Sequence, residues 1–314
     1  MKKLLMIIPL VILLCFTFGC QQGAEVAEET KEEITSGTVN VDGFDLTYSI
    51  EGTGIPCAVV GDALSVSRGT SKALREHFKF ISIDSRMTTP TKEGFDISTI
   101  TFDTLVEDLE KVRKTLGIDK FCVFGHSISG LLALEYARKY PEHTSHVIMN
   151  GTPPYYNVDF VSMGDEYWES SASEERKSIL QQNLERLSSD KLNGLPQGEV
   201  DKLEYIALGP KIFFDPTYDC SWILEGAYWN AEVWDHLFNV IMPGYDLAGG
   251  ESITTPIFLS LGKYDYLVPF HVWDDEREKL PTLSYNVFEK SAHWAFLEEQ
   301  ELFNKKLIDW IKSH

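Results

Sequence analysis

The stretch that most constrains this 314-residue chain is Gly125-His126-Ser127-Ile128-Ser129-Gly130. The apolar run Lys120-Phe121-Cys122-Val123-Phe124 precedes it, and the helix-like segment Leu131-Leu132-Ala133-Leu134-Glu135-Tyr136-Ala137 follows. A strand that bends straight into a helix leaves little room, so residues two before and two after the central serine must be small. Gly125 and Ser129 meet that demand, and Gly130 leaves space for the helix to pack. The Ser127 hydroxyl is then expected to stand exposed above the strand end, at the positive end of the following helix.

The flanking sequence has the rhythm of an α/β fold. Val39, Val41, Phe44, Leu46, Tyr48 and Ile50 alternate around Asp42-Gly43, a hairpin signal. Cys57-Ala58-Val59-Val60-Gly61 is apolar without alternation, as a strand buried on both faces should be. A helix is expected around Thr70–His77, then the strand Phe78–Asp84 and a polar connection over 85–102. Leu105, Leu109, Val112 and Leu116 mark one face of an amphipathic helix, and Ser145–Asn150 is another strand. After Gly151-Thr152-Pro153-Pro154 the pattern breaks. Residues 155–250 read as an inserted set of helices and loops, with helices over Glu174–Leu187, Val200–Ala207 and Ile223–Phe238. Strands at Pro256–Gly262 and Leu283–Phe288 and a helix from Phe296 to Ile311 resume the pattern. Residues 38–154 and 251–314 therefore form one domain, a mainly parallel sheet covered on both faces, and 155–250 an insertion in it.

The N-terminus has its own logic. Lys2 and Lys3 precede an apolar run from Leu4 to Gly19 that contains Pro9 and is short for a membrane span. It ends in Gly19-Cys20, which resembles a bacterial lipoprotein cleavage site and implies a signal peptide over 1–19 with Cys20 as the lipidated new terminus. Thr17 stands where such sites usually have leucine. Residues 20–37 are acidic and lack aromatics, as a tether should. The implied location is outside the cell, anchored by lipid to the membrane. Cys57, Cys122 and Cys220 form no disulfide framework and no metal-ligand spacing, and read as small buried hydrophobes. A formal charge of −20 opposes electrostatic binding of nucleic acid.

A serine hydroxyl becomes a nucleophile only beside a base that an acid orients. Gly262-Lys263-Tyr264-Asp265-Tyr266-Leu267-Val268-Pro269 follows the second-last strand, and Ser291-Ala292-His293 follows the last, with Glu298 five residues beyond. With the Ser127 bend, these resemble the α/β-hydrolase superfamily: its Gly-x-Ser-x-Gly turn, its Gly-x-x-Asp-x-x-Val-Pro loop and its His-x-x-x-x-Glu ending, in the order Ser, Asp, His. Ser129 replaces the usual glycine. The resemblance implies Ser127 as nucleophile, His293 as base and Asp265 as its orienting acid. It implies an oxyanion hole from the backbone of Ile128 and of a residue after Cys57–Gly61. There Val60-Gly61-Asp62-Ala63 replaces the family's His-Gly pair, so Asp62, or else Ala63, is the second donor, and the Asp62 carboxylate is expected to turn away or meet a cation. His126 is expected to point away from the nucleophile, His271 is a weaker candidate base, and Asp84 is expected to cap a turn or pair with Arg86.

The insertion resembles the helical cap of such enzymes. It holds Trp168, Trp222, Trp229 and Trp234, and its 17 acidic against 6 basic side chains leave a net −11. Aromatics suit an apolar or ring-bearing substrate, and an acidic group or two facing the pocket would receive an ammonium. The resemblance over 38–314 is closest to the capped, proline-iminopeptidase-like branch, although that branch's His-Gly-Gly-Pro-Gly loop is absent. Hydrolysis of a small ester and removal of an N-terminal residue stand level, so the expected partner is a small-molecule or short-peptide substrate. The other class is a tethered small-molecule receptor on the same scaffold. No P-loop, dinucleotide fingerprint or His-Glu-x-x-His string occurs, so neither metal nor organic cofactor is implied. The sequence does not fix the oligomeric state.

Overall fold

Asp42 and Gly43 both take positive φ, 49° and 98°, as a two-residue hairpin turn requires, and join β1 (Thr35–Val41) to β2 (Phe44–Glu51). The computed structural model describes residues 35–314; the expected signal peptide, Cys20 and the tether up to residue 34 lie outside the described residues. The folded chain reaches further back than Thr38, because Thr35, Ser36 and Gly37 pair with Ile50, Ser49 and Tyr48. Backbone pairing recruits these polar residues, and they carry no apolar signal that would reveal it.

The remaining strands are β3 (Ile55–Val60), β4 (Phe78–Ile83), β5 (Phe121–His126), β6 (Thr144–Asn150), β7 (Ile257–Gly262) and β8 (Leu283–Phe288). They form one sheet in the order β1-β2-β4-β3-β5-β6-β7-β8. The two pairings of β2 are antiparallel and all others parallel. Alternate residues of the inner strands enter different cores. Ala58, Val60, Val123 and Met149 join α2 (Phe102–Thr115) and α3 (Ser129–Lys139) on one face. Cys57, Val59, Phe124 and Ile148 join α1 (Ala63–Gly69) and the terminal helix Gln300–Ser313 on the other. The chain leaves β3 towards β4 and returns past it to β5, so the sheet's direction of winding reverses between β3 and β5. Open α/β sheets form their crevice at such a reversal, beyond the carboxyl ends of the strands.

Several local expectations are corrected. The helix expected at 70–77 is a 3-10 turn, Lys72–Glu76, and α1 lies before it, capped by Asp62. The segment Ile223–Phe238 is not continuous: Gly226 takes φ 70°, Asn230 caps a fresh helix Ala231–His236, and a π-turn Leu237–Ile241 follows. The last helix breaks at Glu299, whose carboxylate turns back to accept the backbone N–H of Lys290 at 2.8 Å and the Ser291 hydroxyl at 2.8 Å.

Among the described residues the insertion adds no strand. It contains α4 (Val158–Ser171), unexpected from sequence, α5 (Glu174–Glu185), the helix Gln197–Ala207 and the pieces above. Asn230 clips it to the core, its N–H donating to Met87 O at 2.8 Å and its side chain to Thr89 O at 2.9 Å. Residues 35–314 belong to one compact unit.

Candidate active site

Ser127 leaves β5 with φ 54°, and only Asp42 among the other described non-glycine residues shares a positive φ. Such a conformation costs on the order of 1–3 kcal/mol and persists only where its surroundings hold it. The Ser127 N–H donates to Asn150 O at 2.8 Å, and its carbonyl accepts from the Gly130 N–H at 3.0 Å. The small residues are sterically required: a Cβ on Gly125 would lie 2.1 Å from Ser129 O, and one on Gly130 1.9 Å from Thr152 Oγ1. The serine at 129 has its own accommodation. A Cβ on Gly61 would sit 1.9 Å from Ser129 Oγ, so the missing side chain at 61 makes room for the extra one at 129.

Asp265 and His293 meet at the same rim, on the loops after β7 and β8. Both are buried, and His293 Nδ1 lies 2.6 Å from Asp265 Oδ2. Asp265 Oδ1 accepts the backbone N–H groups of Leu267 at 2.9 Å and Val268 at 2.8 Å. With donors on both sides, the carboxylate fixes the proton on Nδ1 and leaves Nε2 as an acceptor. Ser127 and His293 line one cavity, and no hydrogen bond joins the hydroxyl to the ring. Ile128 and Asp62 also line this cavity, and the backbone N–H of neither donates to a protein acceptor among the described residues. They arise from the two strand ends that flank the reversal in the sheet.

A family model described as the alpha/beta hydrolase fold matches residues 60–300. The chain belongs to the α/β-hydrolase fold family. It is 29% identical over 278 residues to an AB hydrolase superfamily protein, YclE, of Bacillus subtilis (strain 168), covering 88% of this chain and 98% of that one. It is 23% identical to a proline iminopeptidase of Heyndrickxia coagulans over 295 residues, 90% of this chain and 97% of that one. An alpha/beta fold family hydrolase from Bacillus anthracis str. Sterne superposes with a TM-score of 0.67 at 19% identity, covering 88% and 99% of the two chains.

Within this α/β-hydrolase site three side chains behave differently from expectation. His126 does not point away: it lines the cavity with its ring centroid 4.6 Å from that of His293 and 4.1 Å from that of Trp294. Burial, and next the neighbouring His293, hold its pKa well below the ordinary histidine range, so it is neutral. The Asp62 carboxylate meets no cation among the described residues and is engaged by its own helix. It caps α1 and accepts the Ser65 N–H and, at 2.8 Å, the Ser65 hydroxyl; burial raises its pKa against these donors, with Asp84 adding a smaller rise. Asp84 accepts from Thr47, and Arg86 pairs instead with Asp108, at 2.5 and 2.8 Å, and with Asp42 at 3.1 Å. His271 packs edge-on against Tyr167 and is not part of the cavity wall.

The sequence reading does not single out Asn150, yet the structure gives it a central place. From the end of β6 its carbonyl receives the Ser127 N–H, while its side-chain amide donates to His293 O at 2.8 Å and meets His126 Nδ1 at 3.0 Å. One buried residue thus ties the backbones of Ser127 and His293. A polar residue closing the apolar strand Val147-Ile148-Met149 is the signal that marks it.

The cavity encloses about 760 Å³ between sheet rim and insertion. Tyr205, Trp229, Trp234 and Phe238 of the insertion and Trp294 of the core form an aromatic wall, and the Trp294 indole N–H donates to Tyr205 Oη at 2.9 Å across the junction. Of the other insertion tryptophans, Trp168 is buried against Tyr266 and Trp222 is exposed. Asp201, Glu204, Glu232 and Asp235 also line the cavity, together with Asp62, whereas no lysine or arginine does. Glu204, Glu232 and Asp235 are exposed. Among the described residues no cluster of three or more metal-ligating side chains occurs.

Proposed function

We propose that this protein is a serine hydrolase that cleaves a small ester or N-terminal amide through an acyl-enzyme, with the insertion as a cap that selects the substrate. The observation that carries this reading is the buried Asp265–His293 pair at 2.6 Å, whose histidine lines the same cavity as the strained Ser127. Ser127 Oγ attacks the carbonyl carbon as its proton passes to His293 Nε2. The resulting oxyanion accepts from the N–H groups of Ile128 and Asp62. Collapse expels the alcohol or amine, which takes the proton from His293. Water then attacks the acyl group, gives its proton to His293, and releases the acid as Ser127 regains its own.

The acidic lining supports a substrate with a cationic group, because carboxylates without cationic partners in the wall attract cations and repel anions. The similarity to a proline iminopeptidase is consistent with a free N-terminal amine in that role. The proposal also includes export, with Cys20 as a lipid anchor; replacing Cys20 by serine should then release the protein from the membrane fraction.

The activity is tested with a fluorophosphonate probe and p-nitrophenyl acetate on wild type and Ser127→Ala. Wild type should label and turn over, and the variant should do neither; equal behaviour refutes the assignment and favours a binding protein. A proline anilide, free and N-acetylated, separates the substrates. Loss of turnover on acetylation supports amine recognition, and indifference favours the ester.

A further inference from the structure

We propose that Arg176 is a positioning residue: from α5 it fixes segment 210–214 of the insertion, and that segment sets the backbone of the loops carrying Asp265 and His293. The inference rests on the serine-hydrolase reading above.

Arg176 is only 6% exposed, and no carboxylate lies within ion-pair distance of it among the described residues. Its guanidinium instead donates to three backbone carbonyls: Pro210 at 2.7 Å, Phe213 at 2.8 Å and Phe214. It also lies 5.7 Å from the ring centroids of Tyr264 and Tyr266, which flank Asp265 in sequence. A buried cation without a counter-ion is costly, and apolar side chains would fill the same volume at less expense in free energy. Its hydrogen bonds, all to one short segment, point to a geometric role.

The groups of that segment left free by Arg176 face the catalytic loops. Lys211 O accepts the Tyr266 N–H at 3.0 Å, and Ile212 O accepts the N–H of His293 itself at 3.0 Å. The Phe214 N–H donates to Glu298, whose other oxygen takes the Ala292 N–H at 2.7 Å. The segment is a strap across two loops that also meet each other through the Asp265–His293 bond, the Lys263–Glu289 ion pair and the Tyr264 N–H on Ser291 O. A displacement of about 1 Å in such a constellation is enough to cost roughly a hundredfold in rate. It follows that this part of the insertion cannot swing away as a lid without stripping the Tyr266 and His293 N–H groups of their acceptors. Any opening for substrate must come from elsewhere in the insertion.

The test compares wild type, Arg176→Met and Arg176→Lys by two independent readouts. In proton NMR, the low-field Nδ1–H resonance of the His293–Asp265 pair reads the geometry whether or not a substrate is turned over. In p-nitrophenyl acetate hydrolysis, with Ser127→Ala as blank, Arg176→Met should lower kcat at least tenfold, leave KM within threefold and displace the acid limb of the kcat/KM profile. Methylguanidinium, or the lysine variant, should restore part of the loss. The resonance should shift or broaden in the methionine variant. An unchanged resonance with unchanged kcat overturns the proposal, even if Tm falls, as does a rise in KM alone. Should the methionine variant not fold, the lysine variant decides on the same criteria, with a wild-type resonance and kcat counting against the role. An inert wild type that still shows the Arg176-dependent resonance would refute the hydrolase reading and leave the strap standing.

Discussion

Replacing Asp265 by asparagine separates geometry from protonation, because the structure dictates how the amide must sit. Oδ1 faces two backbone N–H donors at 2.9 and 2.8 Å, and Oδ2 faces His293 Nδ1 at 2.6 Å. If the amide nitrogen took the Oδ1 place, two buried donors would lose their acceptor, at about 1–3 kcal/mol each. The amide oxygen therefore takes that place and the NH₂ group points at Nδ1. Nδ1 must then accept, the imidazole proton moves to Nε2, and the ring presents a donor where the reaction needs a base. The same wrong-tautomer substitution in a serine protease costs about 10⁴ in kcat, or about 5.4 kcal/mol, and we expect that order here. The assay is the burst and steady state of p-nitrophenyl acetate hydrolysis, with a thermal melt to show that the variant is folded. KM should change little, since Asp265 is buried behind the histidine and is not part of the cavity wall. A folded Asp265→Asn protein within tenfold of wild-type kcat would refute this account of how His293 is oriented.

The accommodation between Gly61 and Ser129 predicts coupling. Gly61→Ala should destabilise by about 2–4 kcal/mol in urea unfolding, combining strain at φ 87° with the clash at 1.9 Å, and adding Ser129→Gly should recover part of it; strict additivity would rule out the contact. Arg86→Met leaves the buried Asp108 carboxylate unpaired and should cost about 3–5 kcal/mol, most of it regained when Asp108→Leu is added. Glu298 has its pKa pushed up to about 7 from 4.5, chiefly by burial. Its folded state thus holds a proton that the unfolded chain has lost. The stability it contributes at low pH should fall as pH rises from about 4.5 to about 7, by at most about 1.4 kcal/mol per pH unit, and Glu298→Gln should flatten the slope in urea titrations across that window. A variant with the wild-type slope would show that another group is responsible.

What the sequence made legible is what short-range physics decides. Asp42-Gly43 specifies a turn by itself, alternation specifies the β1–β2 pair, and unbroken apolar runs specify inner strands. The bend at Ser127 is equally local, since its clashes involve residues within a few positions and Thr152. Illegible features depend on partners distant in sequence. α1 is a short helix with little apolar periodicity, defined by the Asp62 cap. Apolar spacing makes Ile223–Phe238 read as one helix, but Gly226 and Asn230 break it, and Asn230 is held by the loop around Met87. The orientation of His126 is hidden from its neighbours in sequence because its packing partners, His293 and Trp294, come from the other end of the chain. Arg86 likewise passes over the adjacent Asp84, since its carboxylates are Asp108 and Asp42.

The same division runs through the site. Ser127, the proposed nucleophile, and the N–H of Ile128 are placed by one strand-to-helix bend, so their relative geometry is nearly covalent. His293 sits on a loop whose position is set by contacts reaching across the fold: Asn150 on its carbonyl, Ile212 on its N–H and Asp265 on its ring. Each holds a different part of the residue, and together they constrain both backbone and imidazole. A substitution that loosens one of them should therefore impair His293 in its proposed role as base while leaving the bend at Ser127 intact. Asn150→Ala makes the distinction measurable, because it removes the side-chain bond to His293 but keeps the carbonyl that receives the Ser127 N–H. Acylation by a fluorophosphonate, which needs the base, should slow at least tenfold, whereas the melting transition should retain a single cooperative step. Equal slowing after mutation of a buried polar residue remote from both loops, such as Thr144, would mean that general softening rather than the tie to His293 is responsible.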